Sequence, residues 1–227
     1  IEAHVEGLLH VLDGVERHGC GARVFYAGSS HMFGNAPGPL QNEDTPLAPI
    51  CAYGLSKTAG THLCRVYRSR GLYCSVGILY NHESPRRPLP FVSRKIAQAA
   101  ADIKLGSRRK LVLGSLSAAV DWGAAEDYVD AMARILQLEQ PADYVVASGR
   151  LRTVREFVEA AFAAVGLPWE SHVQEDPSLL KGTLRPPRCG DATRLREASG
   201  WRPATPFAEM VQRMVAAELG ARKAAAA

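Results

Sequence analysis

The residues best placed to do chemistry in this chain are a tyrosine and a lysine four positions apart. Tyr53 and Lys57 form a Y-x-x-x-K pattern at the start of a stretch, residues 53–70, that the sequence predicts to be helical. Residues four apart share one face of a helix, and an ammonium beside a phenol favours the phenolate. A tyrosine in that setting can accept a proton from a hydroxyl near neutral pH. The pattern alone is weak, because an unrelated surface tyrosine and lysine on one helix give the same spacing.

A hydroxyl and an imidazole follow the short apolar run at residues 23–28, which predicts a buried strand. Ser29 comes directly after this run, at the carboxyl end of a parallel strand, where α/β sheets bind ligands. We therefore expect Ser29 and Tyr53 to converge on one substrate oxygen. His31 carries an imidazole that can remove a proton at neutral pH, and a loop histidine without a catalytic role is the alternative.

Strands and helices alternate along the chain, which predicts an α/β fold with a parallel sheet. One helix start is marked by a capping box, in which Thr153 is followed by Glu156. Residues 31–50 are predicted to form a long loop, and residues 81–90 a polar turn. Helices are predicted over residues 1–18, 53–70, 91–106, 124–139, 153–165, 192–199 and 206–224. Strands are predicted over residues 23–28, 73–80, 110–113 and 144–147.

The composition is that of a globular protein, with 47% hydrophobic and 22% charged residues among 227 and a net charge of +4. This composition excludes a disordered chain. The sequence contains no run of about 18 apolar residues, so it predicts no membrane-spanning helix. The small, dispersed charge predicts no nucleic-acid partner.

Five widely spaced cysteines without a C-x-x-C predict no disulfide framework and no metal site, and favour the cytoplasm. Residues 1–10 lack the basic segment of a signal peptide, and residues 222–227 are predicted to be a frayed helical tail.

Several longer motifs resemble the extended short-chain dehydrogenase/reductases that act on nucleotide sugars. Two of them, N-H-E-S-P-R-R and D-W-G, resemble the GDP-mannose 4,6-dehydratase family in particular, whereas Y-x-x-x-K belongs to the whole superfamily. The resemblance covers nearly the entire chain. The motifs that carry it are A-G-S-S-H-M-F-G, Y-G-L-S-K, G-I-L-Y-N-H-E-S-P-R-R, F-V-S-R-K-I, L-G-S-L, D-W-G-A-A-E-D-Y-V and G-D-A-T-R-L-R with G-W-R-P.

The resemblance implies a Rossmann-type parallel sheet followed by a smaller C-terminal α/β substrate domain. Residues 1–85 would form the second half of an NADP-binding domain. Residues 86–227 would form the substrate domain, interleaved with a sheet strand near residues 144–147. Ile1 would fall inside the fourth helix of the family, so we expect the first strands of the sheet to be missing from this chain. The family also implies a homo-oligomer for the full-length protein.

The activity that the resemblance implies is an NADP-dependent dehydration of GDP-mannose. The sugar is oxidised at C4, water is eliminated across C5 and C6, and the hydride returns to C6. Tyr53 would be the base at C4, Lys57 would tune it and hold the nicotinamide ribose, and Ser29 would replace the usual threonine. His82 and Arg87 would contact the cofactor.

The same resemblance implies a set of residues that bind the nucleotide sugar. Asn81 matches an asparagine that contacts this substrate, and Arg94 and Lys95 fall on a helix that would line its site. Either Lys181 or Arg185 takes the place of a later arginine, depending on how the motif is aligned. Arginine and lysine both suit a diphosphate, the first as a planar fork and the second as a point charge.

The chain departs from the family at four places. The R-P-x-E motif that the family has before G-D is disturbed here, and its glutamate has no clear equivalent. His31 stands where the family has the glutamate that drives elimination, and Val120 stands where the family has an arginine that contacts the diphosphate. The G-x-x-G-x-x-G turn that holds the cofactor phosphates in this superfamily is absent from the sequence.

These departures leave three hypotheses open. The first is a GDP-mannose 4,6-dehydratase, present here as a fragment or a truncated form. The second is an epimerase or 4-reductase of the same fold, since neither reaction needs the dedicated glutamate. The third is a non-catalytic remnant that binds a partner subunit or a nucleotide sugar.

Overall fold

The computed structural model describes residues 2–19, 21–180 and 186–226. Its helices are α1 (Glu2–His18), α2 (Ala52–Ser69), α3 (Val92–Lys104), α4 (Ala125–Ile135), α5 (Val154–Ala163), α6 (Thr193–Ser199) and α7 (Phe207–Ala226). Its strands are β1 (Val24–Ser29), β2 (Leu40–Gln41), β3 (Cys74–Leu79), β4 (Asn81–Glu83), β5 (Leu111–Leu113), β6 (Ala119–Ala124), β7 (Asp143–Val146), β8 (Leu151–Thr153), β9 (Val173–Glu175) and β10 (Cys189–Gly190). None of the helices in this part of the chain has both the length and the apolar character that crossing a bilayer requires.

Three parallel strands in the order β1-β3-β7 form the sheet that carries the candidate residues. Val24 pairs with Cys74 and Val76 with Asp143, so all three strands run to the same edge. Every residue of β3 is buried, as a strand covered on both faces requires. Helix α2 connects β1 to β3 and packs against both, and α1 packs against α2. The predicted α/β fold with a parallel sheet is confirmed.

The remaining strands are short and pair over long sequence separations. Strand β4 pairs in parallel with β6, which pairs antiparallel with β8. Two further parallel pairs join β5 to β9 and β2 to β10. The prediction of a polar turn over residues 81–90 is therefore wrong at its start, which is β4. The predicted loop over residues 31–50 likewise contains the short strand β2, and a single 3-10 turn covers Ser30–Phe33. A strand of two or three residues is too short for alternation to reveal it.

Buried apolar side chains form two clusters. The first surrounds the three-stranded sheet and includes residues of α1, α2 and α4 together with Leu195 and Trp201. The second joins α3, α5 and α7 with β5 and β6, and it includes Trp122. The capping box predicted at the start of α5 is present, with the Thr153 hydroxyl and the Glu156 carboxylate each accepting from the other's backbone amide.

Helix α4 ends at Ile135, earlier than the prediction of a helix over residues 124–139. Side chains from elsewhere bind the carbonyl oxygens beyond this point. The Arg23 guanidinium donates to the carbonyl of Leu138 at 2.9 Å, and the Tyr73 hydroxyl lies 2.8 Å from the same oxygen and from that of Ile135. These contacts satisfy the final carbonyls in place of another helical turn.

Candidate active site

The edge where β1 and β3 end opens into a cavity of about 520 Å³. Its wall is completed by the first turns of α2 and by the segment that follows β4. Ligands bind α/β sheets at this edge. Seven predicted site residues line the cavity: Ser29, His31, Tyr53, Lys57, Asn81, His82 and Arg87. The structure thus brings together residues that the sequence distributes over nearly sixty positions.

Tyr53 and Lys57 lie on the first turns of α2, which begins after the N-cap residue Cys51. The Lys57 ammonium lies 5.7 Å from the centre of the Tyr53 ring and donates a 2.9 Å hydrogen bond to the carbonyl of Ala27 on β1. Lys57 is only 8% exposed, and this burial lowers the pKa of its ammonium. Tyr53 is 47% exposed, so the helix presents the phenol to the cavity above a buried cation.

Ser29 and His31 reach the cavity from the end of β1. The Ser29 hydroxyl accepts a 3.3 Å hydrogen bond from the backbone amide of His31, and this contact starts the 3-10 turn that follows. The imidazole of His31 packs edge to face on the Tyr53 ring with centroids 5.6 Å apart. Its Nδ1 atom lies 4.0 Å from the Cys51 sulfur. The end of β1 and the turn after it therefore bring a hydroxyl and an imidazole to the cavity that Tyr53 also lines.

His82 lines the cavity from β4. Its Nδ1 atom lies 2.9 Å from the carbonyl oxygen of Tyr80, which makes Nδ1 the protonated nitrogen, and its ring packs on Tyr128. Burial lowers the pKa of His82, and the positive charge of Arg87 lowers it further. The neutral ring therefore offers Nε2 as an acceptor.

Arg87 is oriented by a buried acid and an aromatic ring. Its Nε atom lies 3.3 Å from the carboxylate of Glu83, and its guanidinium lies 3.5 Å from the centre of the Phe91 ring. Glu83 also accepts a 2.6 Å hydrogen bond from Ser93, and burial raises the pKa of this carboxyl. These contacts direct the guanidinium of Arg87 along the cavity wall.

A smaller cavity of about 210 Å³ adjoins the first and shares His31, Tyr80 and Asn81 with it. Arg188 lines this cavity and donates to the carbonyls of Ser30 at 3.3 Å and Gly34 at 3.1 Å. Arg188 is not among the site residues predicted from the sequence, although it ends the R-P-P-R run that precedes the G-D motif.

Asp121 lines the same small cavity from β6 and was also missed as a functional residue. Its carboxylate accepts hydrogen bonds from the backbone amides of Ser148, Gly149 and Gly190 and from the Ser148 hydroxyl, at 2.6 to 3.1 Å. Burial raises the pKa of Asp121. Asp121 is the first residue of the D-W-G motif, which resembles the family but does not by itself indicate what the aspartate does. Asp121 fixes the relative positions of three backbone segments at the cavity rim.

Arg94 and Lys95 are not brought together with the other predicted residues. The Arg94 side chain forms a salt bridge with the buried Glu218 of α7, and Lys95 donates to the carbonyl of Val112 at 2.6 Å. Neither lines the two cavities. The alternatives Lys181 and Arg185 lie outside the described residues.

Comparisons of sequence agree on one family. The model of the family described as GDP-mannose 4,6 dehydratase matches residues 1–214. GDP-mannose 4,6 dehydratase 1 of Arabidopsis thaliana is 44% identical over 218 residues, which cover 94% of this chain and 60% of that protein. The GDP-mannose 4,6 dehydratase of Homo sapiens is 36% identical, with coverage of 94% and 63%. The chain thus spans about 60% of the length of these curated relatives.

Comparisons of structure give the same fold. RMD from Pseudomonas aeruginosa, solved in complex with NADPH, superposes with a TM-score of 0.89 at 22% identity, covering 97% of this chain and 74% of that one. The dTDP-glucose 4,6-dehydratase DesIV from Streptomyces venezuelae, with NAD and TYD bound, gives 0.83 at 23% identity, with coverage of 98% and 67%. The UDP-glucose 4-epimerase of Thermus thermophilus, in complex with NAD, gives 0.80 at 26%, with coverage of 97% and 71%.

Proposed function

Because this chain belongs to the GDP-mannose 4,6-dehydratase family, we propose that the protein containing it converts GDP-mannose to its 4-keto-6-deoxy product with NADP as cofactor. The observation that carries the proposal is the single cavity that gathers Ser29, Tyr53 and Lys57 at the carboxyl edge of the sheet. The chain covers about 60% of the Arabidopsis relative, so the proposal concerns the full-length protein.

The residues around the larger cavity fit NADP by their chemistry. The ammonium of Lys57 and the guanidinium of Arg87 suit the hydroxyls and phosphates of a dinucleotide, and the neutral ring of His82 offers an acceptor. Tyr53, Lys57, His82 and Arg87 would hold the cofactor. A bound NADP would supply the hydride acceptor for oxidation at C4 and the hydride donor for reduction at C6. The solved structure of RMD with NADPH, which shares the fold, supports this choice of cofactor.

Tyr53 would take the proton from the C4 hydroxyl as that carbon is oxidised. The ammonium of Lys57 lies 5.7 Å from the centre of the Tyr53 ring and is 8% exposed, so it would attract negative charge that develops on the phenol oxygen during the reaction. Ser29 would donate a hydrogen bond to the same substrate oxygen, since its hydroxyl faces the cavity from the end of β1.

His31 would remove the proton from C5, and the imidazolium so formed would give this proton to the C6 hydroxyl, which departs as water. The 4-keto group formed in the first step acidifies this C5 proton. The imidazole lies against the Tyr53 ring, so both groups face one bound sugar. A neutral imidazole is a competent base near pH 7, which lets His31 serve where the family has glutamate.

The nucleotide sugar would extend from the larger cavity into the smaller one. Asn81 lines both cavities, and Arg188 lines the smaller one. Arginine binds diphosphates well because its planar fork matches two oxygens. Val120 stands where the family has an arginine that contacts the diphosphate. Arg188, together with Lys181 or Arg185, would supply the positive charge that this arginine provides in the family.

The protein would act as a homo-oligomer in the cytoplasm. Helices α1 and α2 expose large apolar side chains beside the candidate site, among them Val11 at 54%, Leu55 at 56% and Val66 at 45% exposure. Such a surface on two adjacent helices is suited to burial against a second copy.

A second candidate function is a nucleotide-sugar epimerase or 4-reductase. His31 and Val120 favour it, because these reactions use the tyrosine, lysine and hydroxyl without a dedicated glutamate. The similarity of fold to a UDP-glucose 4-epimerase is consistent with it.

The deciding experiment incubates the protein from the full coding region with GDP-mannose and NADP and measures the products by mass spectrometry. We expect the 4-keto-6-deoxy product, lighter than the substrate by one water. Turnover of another nucleotide sugar without this product would overturn the dehydratase and support the second candidate. Binding of GDP-mannose without turnover of any nucleotide sugar would support a non-catalytic remnant.

A further inference from the structure

A second large cavity, separate from the candidate active site, is lined by four arginines. It measures about 520 Å³ and lies between the end of β6, the strand β8 and the segment that leads into α7. Its cations are Arg150, Arg152, Arg196 and Arg202. Among the described residues, its lining includes no acidic side chain and shares no residue with the two cavities of the candidate active site.

Among the described residues, Arg152 is the one arginine of this cavity that forms an ion pair. Arg152 donates to Glu156 at 2.7 Å, and Arg196 donates to the hydroxyl of Thr193. Within the described ranges, the guanidinium groups of Arg150 and Arg202 have no ion pair and no side-chain hydrogen bond, and both residues are exposed. A concave surface lined by charges of one sign concentrates the field and attracts counter-ions.

The floor of this cavity is aromatic. The rings of Trp122 and Phe207 stack with centroids 6.3 Å apart, and the Arg152 guanidinium lies 5.3 Å from the centre of the Phe207 ring. Phe207 is half-buried, so part of its ring faces the cavity. This floor holds Arg152 in place and offers an apolar contact beside the cations.

We propose that this cavity binds a small phosphorylated molecule, a phosphate or diphosphate ester, at a site distinct from the candidate active site. Arginine forks match phosphate oxygens in pairs, and the volume is in the range of small-molecule sites. Its concave shape suits a compact ester better than an extended polymer. A neighbouring cavity of about 270 Å³ shares Arg196 and Arg202 with this one. The acidic residue Asp191 lines that neighbouring cavity and does not line the proposed site.

Isothermal titration calorimetry with pyrophosphate at low ionic strength tests this site on the full-length protein. The test variant carries Arg150→Gln and Arg202→Gln. The matched control carries Arg108→Gln and Arg109→Gln, which remove the same charge from an exposed turn elsewhere. A third protein, Arg87→Gln, reports binding at the candidate active site.

We expect pyrophosphate to bind the wild type, and its dissociation constant to rise about tenfold or more in Arg150→Gln/Arg202→Gln. It should change less than about twofold in the other two proteins, since neither alters this cavity. Failure of the wild type to bind, equal weakening in the matched control, or weakening in Arg87→Gln alone would each overturn the proposal. Arg202→Gln alone repeats the test if the double variant does not fold. Because the sites share no lining residue, this result is independent of the dehydratase assay.

Discussion

The imidazole of His31 packs edge to face on the phenol ring of Tyr53, with an interplanar angle of 82°. The contact joins the 3-10 turn that follows β1 to the first turn of α2, and both residues line the larger cavity. It also places the proposed base for elimination beside the proposed base for oxidation. The two proton transfers would therefore occur on one bound sugar without its relocation.

Replacing His31 should separate elimination from oxidation. In His31→Ala we expect the dehydrated product to fall about 10²- to 10⁴-fold, because the base at C5 is removed. Oxidation at C4, followed as NADPH absorbance in a single turnover, should fall far less. His31→Glu, which restores the residue type of the family, should recover most of the lost dehydration. Equal loss of both steps in His31→Ala would contradict the assignment.

Tyr53→Phe should abolish catalysis while leaving the nucleotide sugar bound. The substitution removes the hydroxyl but keeps the ring against His31, so the cavity retains its shape. We expect a loss of about 10²- to 10⁴-fold in turnover and little change in the dissociation constant for GDP-mannose, measured by calorimetry. Unchanged turnover would show that Tyr53 is not the base.

Arg94→Met should destabilise the fold. Arg94 forms a salt bridge with Glu218, whose side chain is 5% exposed, and it also donates to the carbonyl of Arg87 at 3.1 Å. The substitution removes both contacts, although Arg222 still pairs with Glu218. We expect a loss of about 1 to 3 kcal/mol in the free energy of unfolding by urea. In the matched control, Asp130→Asn breaks the exposed pair with Arg134 and should cost about 0.5 kcal/mol or less. A raised KM for GDP-mannose with unchanged stability would instead support the sequence-based role of Arg94 in substrate binding.

Glu83 should make stability fall as the pH rises. Burial raises its pKa above the ordinary 4.5, so the folded chain binds this proton more tightly than the unfolded chain does. Relative to Glu83→Gln, which cannot titrate, the wild type should lose stability as the pH rises from about 4.5 through the raised pKa. Urea unfolding at a series of pH values measures the difference. A stability difference between wild type and Glu83→Gln that rises with pH would refute the assignment.

Leu55→Asp should weaken self-association. Leu55 is 56% exposed on α2, and a charge there would have to be buried if α1 and α2 pack against a second copy. Light scattering after size exclusion should show the full-length protein as an oligomer and this variant shifted towards the monomer. Leu89→Asp, at a 58% exposed position away from these two helices, serves as the control. An unchanged mass for Leu55→Asp would place the interface elsewhere.

Sequence reasoning was most successful where the chemistry lies at strand ends and on one helix face. The spacing of Tyr53 and Lys57 and the position of Ser29 after β1 sufficed to predict that these groups meet. Local patterns determine both features, since a parallel strand and the helix after it fix where their ends lie. The same reasoning identified the long helices and the three strands of the central sheet.

Residues whose role depends on distant partners could not be predicted in this way. Asp121 acts on backbone amides of the 148–149 turn and of β10, and Arg94 is paired with a glutamate on the last helix. Arg188 reaches the small cavity through the pairing of β10 with β2, two strands of two residues each. No periodicity records such contacts, so only the folded arrangement reveals them.

The hydrogen bond from Lys57 to the carbonyl of Ala27 has a consequence for how tightly ligands bind. Ordering a lysine side chain costs about 1.5 to 2 kcal/mol in rotamer entropy. Because β1 already holds this ammonium in place, that cost is met when the chain folds and not when a nucleotide or sugar arrives. A ligand reaching the cavity finds a fixed cation, and its affinity is not reduced by the need to immobilise one.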